Sequence, residues 1–125
     1  MTQPNFILLY VSSPVESAAF YARLLGRDPI EASPTFAMFA LDGGLMLGLW
    51  ARHTVEPMVA PGTVNASGEL AFAQPDVAAV DGLYAAWSAF GLTLIQAPCS
   101  MDFGYTFTAV DPDGHRLRVF APHRA

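Results

Sequence analysis

The stretch Tyr105 to Pro122 reads YTFTAV, then DPDG, then HRLRVFAP. Two runs rich in β-branched and aromatic residues flank a turn whose Pro112 and Gly114 stand where turn geometry is set. Asp111-Pro112-Asp113-Gly114 predicts a type I turn closed by a glycine at positive φ, the hairpin with a one-residue bulge. That reading pairs Thr108 with Arg118 and puts Thr106, Thr108, Arg116, Arg118 and Phe120 on one face. A plain two-residue turn would bring Tyr105 and Phe107 to that face instead. The bulge is preferred because Gly114 sits where a positive φ is needed.

Working outward, the chain has 125 residues, enough for one domain with a substantial core. It is 53% hydrophobic and only 14% charged, yet no window reaches the roughly 18 apolar residues of a membrane span. A net charge of −5 and scattered basic residues argue against nucleic acid as a partner. The opening MTQPNF shows no basic segment leading into an apolar one, and Cys99 is the sole cysteine. Both point to a reducing, cytoplasmic setting without an internal disulfide. Nine Phe, four Tyr and two Trp suggest either a ring-rich core or a lining for a flat ligand. The apolar composition also fits a subunit of a homodimer.

In chain order, Phe6 to Val11 is a continuous apolar run, expected as a strand covered on both faces. Ser13, Pro14 and Glu16 announce a helix, with Ser13 as its cap and Gly26 as its end. Thr35 to Leu41 and Leu45 to Trp50 predict a hairpin through a two-residue Asp42-Gly43 turn, which sets Phe39 opposite Met46. Residues 53–67 read as a linker between a first module of about 1–52 and a second of about 68–125. Glu69 to Ala73 begins the pattern again. Asp76 opens a second helix, with Val77, Val80, Tyr84 and Trp87 on one face. Leu92 to Ile95 is a strand, and Pro98 to Gly104 a loop. His115 is expected in solvent. A shift of about 63 residues lays Phe6 on Glu69 and Tyr21 on Tyr84, so the halves repeat as strand, helix and further strands.

This order, together with LYVSS at 9–13, FYARLLG at 20–26 and DPDG at 111–114, resembles the vicinal oxygen chelate superfamily of glyoxalases, bleomycin-resistance proteins and extradiol dioxygenases. The resemblance implies an α+β fold of two βαβββ modules, forming a curved half-barrel sheet with helices on its convex side. It also implies metal ligands at four positions, which here carry Phe6, Met46, Glu69 and Arg118. Only Glu69 could bind a divalent cation, which needs about three or four ligands. No metal and no cofactor are therefore expected. Strand parity adds Leu8 and Tyr10 beside Phe6, and Gly48 and Trp50 beside Met46, with Gly48 leaving room beside Trp50. Trp50 is open to a ligand face, core or a subunit interface. Glu69 and Arg118 either pair with each other or leave Arg118 to receive a ligand carboxylate. Phe103 and Asp102 lie in a loop that closes over the site in such proteins.

Within the superfamily, Trp50, the Phe103-Gly104 loop and Arg118 resemble a metal-free branch, the phenazine-antibiotic resistance proteins. That likeness implies binding of a planar aromatic antibiotic in a dimer cleft without chemistry. The expected ligand-binding residues are Phe6, Tyr10, Phe39, Met46, Gly48, Trp50, Glu69, Phe103, Thr106, Thr108, Arg116, Arg118 and Phe120. The alternative is a metal-dependent lyase, isomerase or dioxygenase of the same fold.

Overall fold

In a computed structural model of the chain, residues 2–60, 62 and 65–123 are described. Two compact units divide it, residues 1–63 and 64–125. The first runs β1 (Phe6–Val11), α1 (Pro14–Leu25), β2 (Glu31–Ala32), β3 (Phe36–Ala40) and β4 (Met46–Ala51). The second repeats it as β5 (Glu69–Ala73), α2 (Val77–Ala89), β6 (Thr93–Met101), β7 (Gly104–Val110) and β8 (Arg116–Pro122). Each unit is a βαβββ module with one four-stranded mixed sheet, ordered β1-β4-β3-β2 and β5-β8-β7-β6. The first strand lies parallel to the last, and the remaining pairs are antiparallel. This is the α+β arrangement that the repeat in the sequence implies. Of the expected linker, residues 61, 63 and 64 fall outside the described set.

Local chemistry explains the helix ends. The Glu16 N–H donates to Ser13 Oγ at 3.2 Å, and Pro14 occupies the first turn, where its missing N–H costs nothing. The Ala79 N–H donates to Asp76 Oδ1 at 2.8 Å in the same way. Helix α1 packs on β3 and β4, burying Ala18 and Tyr21 against Ala37, Phe39, Leu47 and Leu49. Helix α2 covers β6, β7 and β8. Its Trp87 meets Phe107 edge-on at 5.4 Å and Phe72 at 5.5 Å, while Tyr84 meets Phe107 at 5.3 Å. Such T-shaped pairs add about 0.5–1.5 kcal/mol each to the burial of the rings.

The last hairpin has the bulged geometry. Gly114 holds φ of 85°, its N–H donates to the Asp111 carbonyl at 3.0 Å, and the register pairs Thr108 with Arg118 and Thr106 with Phe120. Asp111 organises the turn from within. Its Oδ1 accepts from the N–H groups of Asp113 and His115, both at 2.9 Å, and its Oδ2 lies 2.7 Å from His115 Nδ1. His115 is consequently buried, not solvated as its place after a tight turn suggests.

Three further expectations are corrected. The first hairpin turns through three residues, Asp42, Gly43 and Gly44, with both glycines at positive φ and the Leu41 N–H donating to the Leu45 carbonyl at 2.8 Å. The extra residue moves Met46 opposite Ala40 and sets Phe39 opposite Leu47, on the helix-covered face. Strand β6 runs through Pro98 to Met101, which leaves Asp102 and Phe103 as the only loop residues before β7. Proline is accommodated there because β6 is an edge strand with an irregular register between Gln96 and Cys99, so no ladder donor is lost. Finally, β1 is covered on one face only, since Phe6 and Leu8 remain 40% and 45% exposed.

Asp111→Ala is expected to lower stability by about 1–3 kcal/mol, because the N–H groups of Asp113 and His115 would lose their acceptor. Thermal unfolding checks this against Asp28→Ala, an exposed change that should leave Tm within error.

Candidate functional site

Each sheet has one face under its helix and one face free of it, and the second kind carries the candidate residues. In the first unit this face holds Phe6, Leu8 and Tyr10 from β1, Met46, Gly48 and Trp50 from β4, and Phe36 and Met38 from β3. The rings of Tyr10 and Trp50, opposite each other in the register, meet edge-on at 6.2 Å. Gly48 does not leave an open gap beside Trp50. A Cβ at this position would lie 2.7 Å from Leu8, 2.8 Å from Phe6 and 3.0 Å from Phe36, so these three side chains close over the bare backbone. The result is a tight apolar platform next to Trp50. Phe39 is absent from it, being wholly buried beneath α1. Phe36 and Met38 take its place, and the second glycine of Asp42-Gly43-Gly44 is the signal that would have found them.

In the second unit the corresponding face carries a polar network around Arg118. Arg118 Nε donates to Glu69 Oε1 at 2.5 Å. Its Nη1 donates to Gln96 Oε1 and to Thr106 Oγ1, both at 3.2 Å. Thr108 Oγ1 donates to the same Gln96 oxygen at 2.9 Å, and Thr106 Oγ1 passes its own proton to the Val119 carbonyl at 2.8 Å. The ring of Phe103 lies 5.7 Å from the centre of the guanidinium and 6.0 Å, edge-on, from Phe120. Glu69, Phe103, Thr106, Thr108, Arg118 and Phe120 are thus brought together. Arg116, opposite Glu69 in the ladder, is exposed. Gln96 is the member that sequence reasoning missed. Its signal is a lone amide within the run LTLIQAP, obscured by the irregular register of β6.

The electrostatics follow from burial. The side chain of Arg118 is 16% exposed and that of Glu69 32%. A guanidinium so covered needs a counter-charge and acceptors, and this one has a carboxylate, an amide oxygen, a hydroxyl and a ring face. The same arrangement bears on metal binding. Of the four positions at which the family resemblance implies ligands, Phe6 offers no donor and Met46 only a thioether. Glu69 is engaged by the cation at the fourth position, Arg118. Among the described residues no three His, Cys, Asp or Glu side chains converge. These residues do not fit a divalent cation.

A separate concavity of about 270 Å³ in the second unit is lined by Asp76, Val77, Ser100, Tyr105, Pro122 and His123, among others. None of the expected site residues borders it. There the Tyr105 hydroxyl donates to Asp81 Oδ1 at 2.7 Å, and this hydrogen bond to a carboxylate raises the phenol above its usual range.

A family model described as the Glyoxalase/Bleomycin resistance protein/Dioxygenase superfamily matches residues 3–119. The chain belongs to that superfamily. Among curated members, the Phenazine antibiotic resistance protein EhpR of Enterobacter agglomerans is 29% identical over 119 residues, spanning 93% of this chain and 89% of that protein. Among solved structures, the solution structure of protein ATC0852 from Agrobacterium tumefaciens is 52% identical, covers 99% of this chain and 100% of its own, and has a TM-score of 0.88. A glyoxalase/bleomycin resistance protein/dioxygenase family enzyme from Burkholderia phytofirmans PsJN is 26% identical, with coverage of 95% and 98% and a TM-score of 0.80.

Glu69→Ala is expected to destabilise the protein by about 1–3 kcal/mol, less than for a fully buried pair because both groups keep some solvent. Glu69→Leu combined with Arg118→Met should recover most of that loss in urea denaturation. A double variant as unstable as the sum of its single changes would show that the two residues act independently.

Proposed function

We propose that this protein binds a planar aromatic small molecule and sequesters it unchanged, as a homodimer in the cytoplasm, thereby giving resistance to an antibiotic of phenazine or bleomycin type. The observation that carries the reading is the Arg118–Glu69 pair, which places a cation and its engaged carboxylate at two of the positions where the family resemblance implies metal ligands. Two others support it. The first unit offers ring surfaces from Phe6, Tyr10, Trp50 and Phe36 on a face without a helix. The similarity to a protein named for phenazine antibiotic resistance extends over nearly the whole chain.

The energetics suit sequestration. A tricyclic ligand of about 20 heavy atoms at about 0.3–0.4 kcal/mol per atom gains about 6–8 kcal/mol, a Kd from tens of micromolar down to about one micromolar. Binding of that strength removes a drug only when protein and drug are comparable in amount. Resistance should therefore scale with expression level, and full resistance from trace protein would contradict the proposal.

Tryptophan fluorescence gives the direct test. Trp87 is 2% exposed and locked between Phe72 and Phe107, so it supplies a steady background while Trp50 reports. Titration with phenazine should quench saturably with a midpoint in the range above. Trp50→Ala should weaken binding at least about tenfold, and Trp50→Phe less, since a ring face is retained. Absence of saturable quenching up to the solubility limit would sink the proposal.

A further inference from the structure

The helix-free face of the first unit is apolar on β1, β3 and β4, and β2 adds a charge to it. The register fixes which side chains share that face. Gly48 lies opposite Leu8 on one side and Met38 on the other, and Met38 in turn lies opposite Glu31 of β2. Residues directly opposite in a ladder project to the same side of the sheet, so Leu8, Gly48, Met38 and Glu31 form one row across it. Ala37, next to Met38, is wholly buried, as the alternate, helix-covered face requires. The floor of the row is level, because Phe6, Leu8 and Phe36 close over Gly48. Among the described strand residues on this face, Glu31 alone carries a charge at neutral pH. It is exposed, and among the described residues no ion pair engages it, whereas Glu69 in the second unit is met by Arg118. Gly48 and Glu31 stand two strand spacings apart, roughly 10 Å, a span on the scale of the long axis of three fused rings.

We propose that Glu31 determines the charge specificity of the first unit's aromatic platform, favouring planar ligands with a cationic group at one end of the ring system and disfavouring those with an anionic group there. This rests on the aromatic-binding reading above and names the charge that the ligand carries. Rings laid along the row from Leu8 over Gly48 and Met38 bring an end substituent to β2. An ammonium at that end is attracted to Glu31. A carboxylate meets a like charge, and no cation on the strands of this face offsets it. The preference is modest in size, because Glu31 is open to solvent and salt.

The test uses three ligands with one ring system, 2-methylphenazine, phenazine-2-carboxylate and 2-(aminomethyl)phenazine, by calorimetry on the full chain at neutral pH and low ionic strength. The ammonium compound is expected to bind about three- to tenfold more tightly than the carboxylate, with the methyl compound between them and the ratio shrinking as salt is added. Glu31→Gln should bring the ratio close to one, and it leaves the fold intact because Glu31 is an exposed residue of a two-residue edge strand. A net charge of −5 favours any cation, so Glu16→Gln, which removes an exposed carboxylate from α1 on the other side of the sheet, is the control and should leave the ratio nearly unchanged. Equal or tighter binding of the carboxylate by the unaltered protein overturns the selectivity and leaves the aromatic-binding reading in place. A ratio that Glu31→Gln does not lower, or lowers no more than Glu16→Gln, overturns the role of Glu31. Saturable binding of none of the three removes the underlying reading and the selectivity with it.

Discussion

Side chains along a strand alternate between two faces, so the length of each hairpin turn decides which residues meet the helix and which do not. Both modules live under that constraint. In the second, the bulged turn at Asp111 to Gly114 puts Phe107, Leu117 and Val119 under α2 and leaves Thr106, Thr108, Arg118 and Phe120 on the other side. In the first, a three-residue turn buries Phe39 and Leu47 and leaves Met38, Gly48 and Trp50 opposite the core. One residue more or fewer in either turn would invert a strand and exchange core for site.

That partition lets the second module keep a guanidinium in a mostly covered position. Arg118 is tolerated because strands β5, β6 and β7 each bring a partner to it: Glu69, Gln96 and Thr106. The pair is not a strong source of stability, since desolvation offsets much of its attraction. It does hold the guanidinium in one orientation, through three acceptors on three strands.

Much of this was legible in the sequence. Element order, both helix caps and the register of the last hairpin follow from short-range rules that act on a few neighbouring residues: Ser13 with Glu16, Asp76 with Ala79, Gly114 after Pro112. Parity then placed Arg118 and Thr108 on one face, and Arg118 could be matched to Glu69. The misreadings share a cause. Asp42-Gly43-Gly44 suits a turn of two residues or of three, and only packing against α1 chooses between them. The continuation of β6 through Pro98 depends on its being an edge strand, a property of sheet order. Burial of His115 depends on a carboxylate four residues earlier folding back over it. Gln96 joins the cluster only once the irregular register of β6 is known.

The preassembled network around Arg118 also constrains how such a protein changes over generations. Arg118→Glu would set a second carboxylate against Glu69 and turn the Gln96 and Thr106 oxygens toward an anion. A reversal of charge at position 118 alone therefore costs stability. The two positions are thus coupled, and neither side chain can change its charge without loss unless the other changes with it.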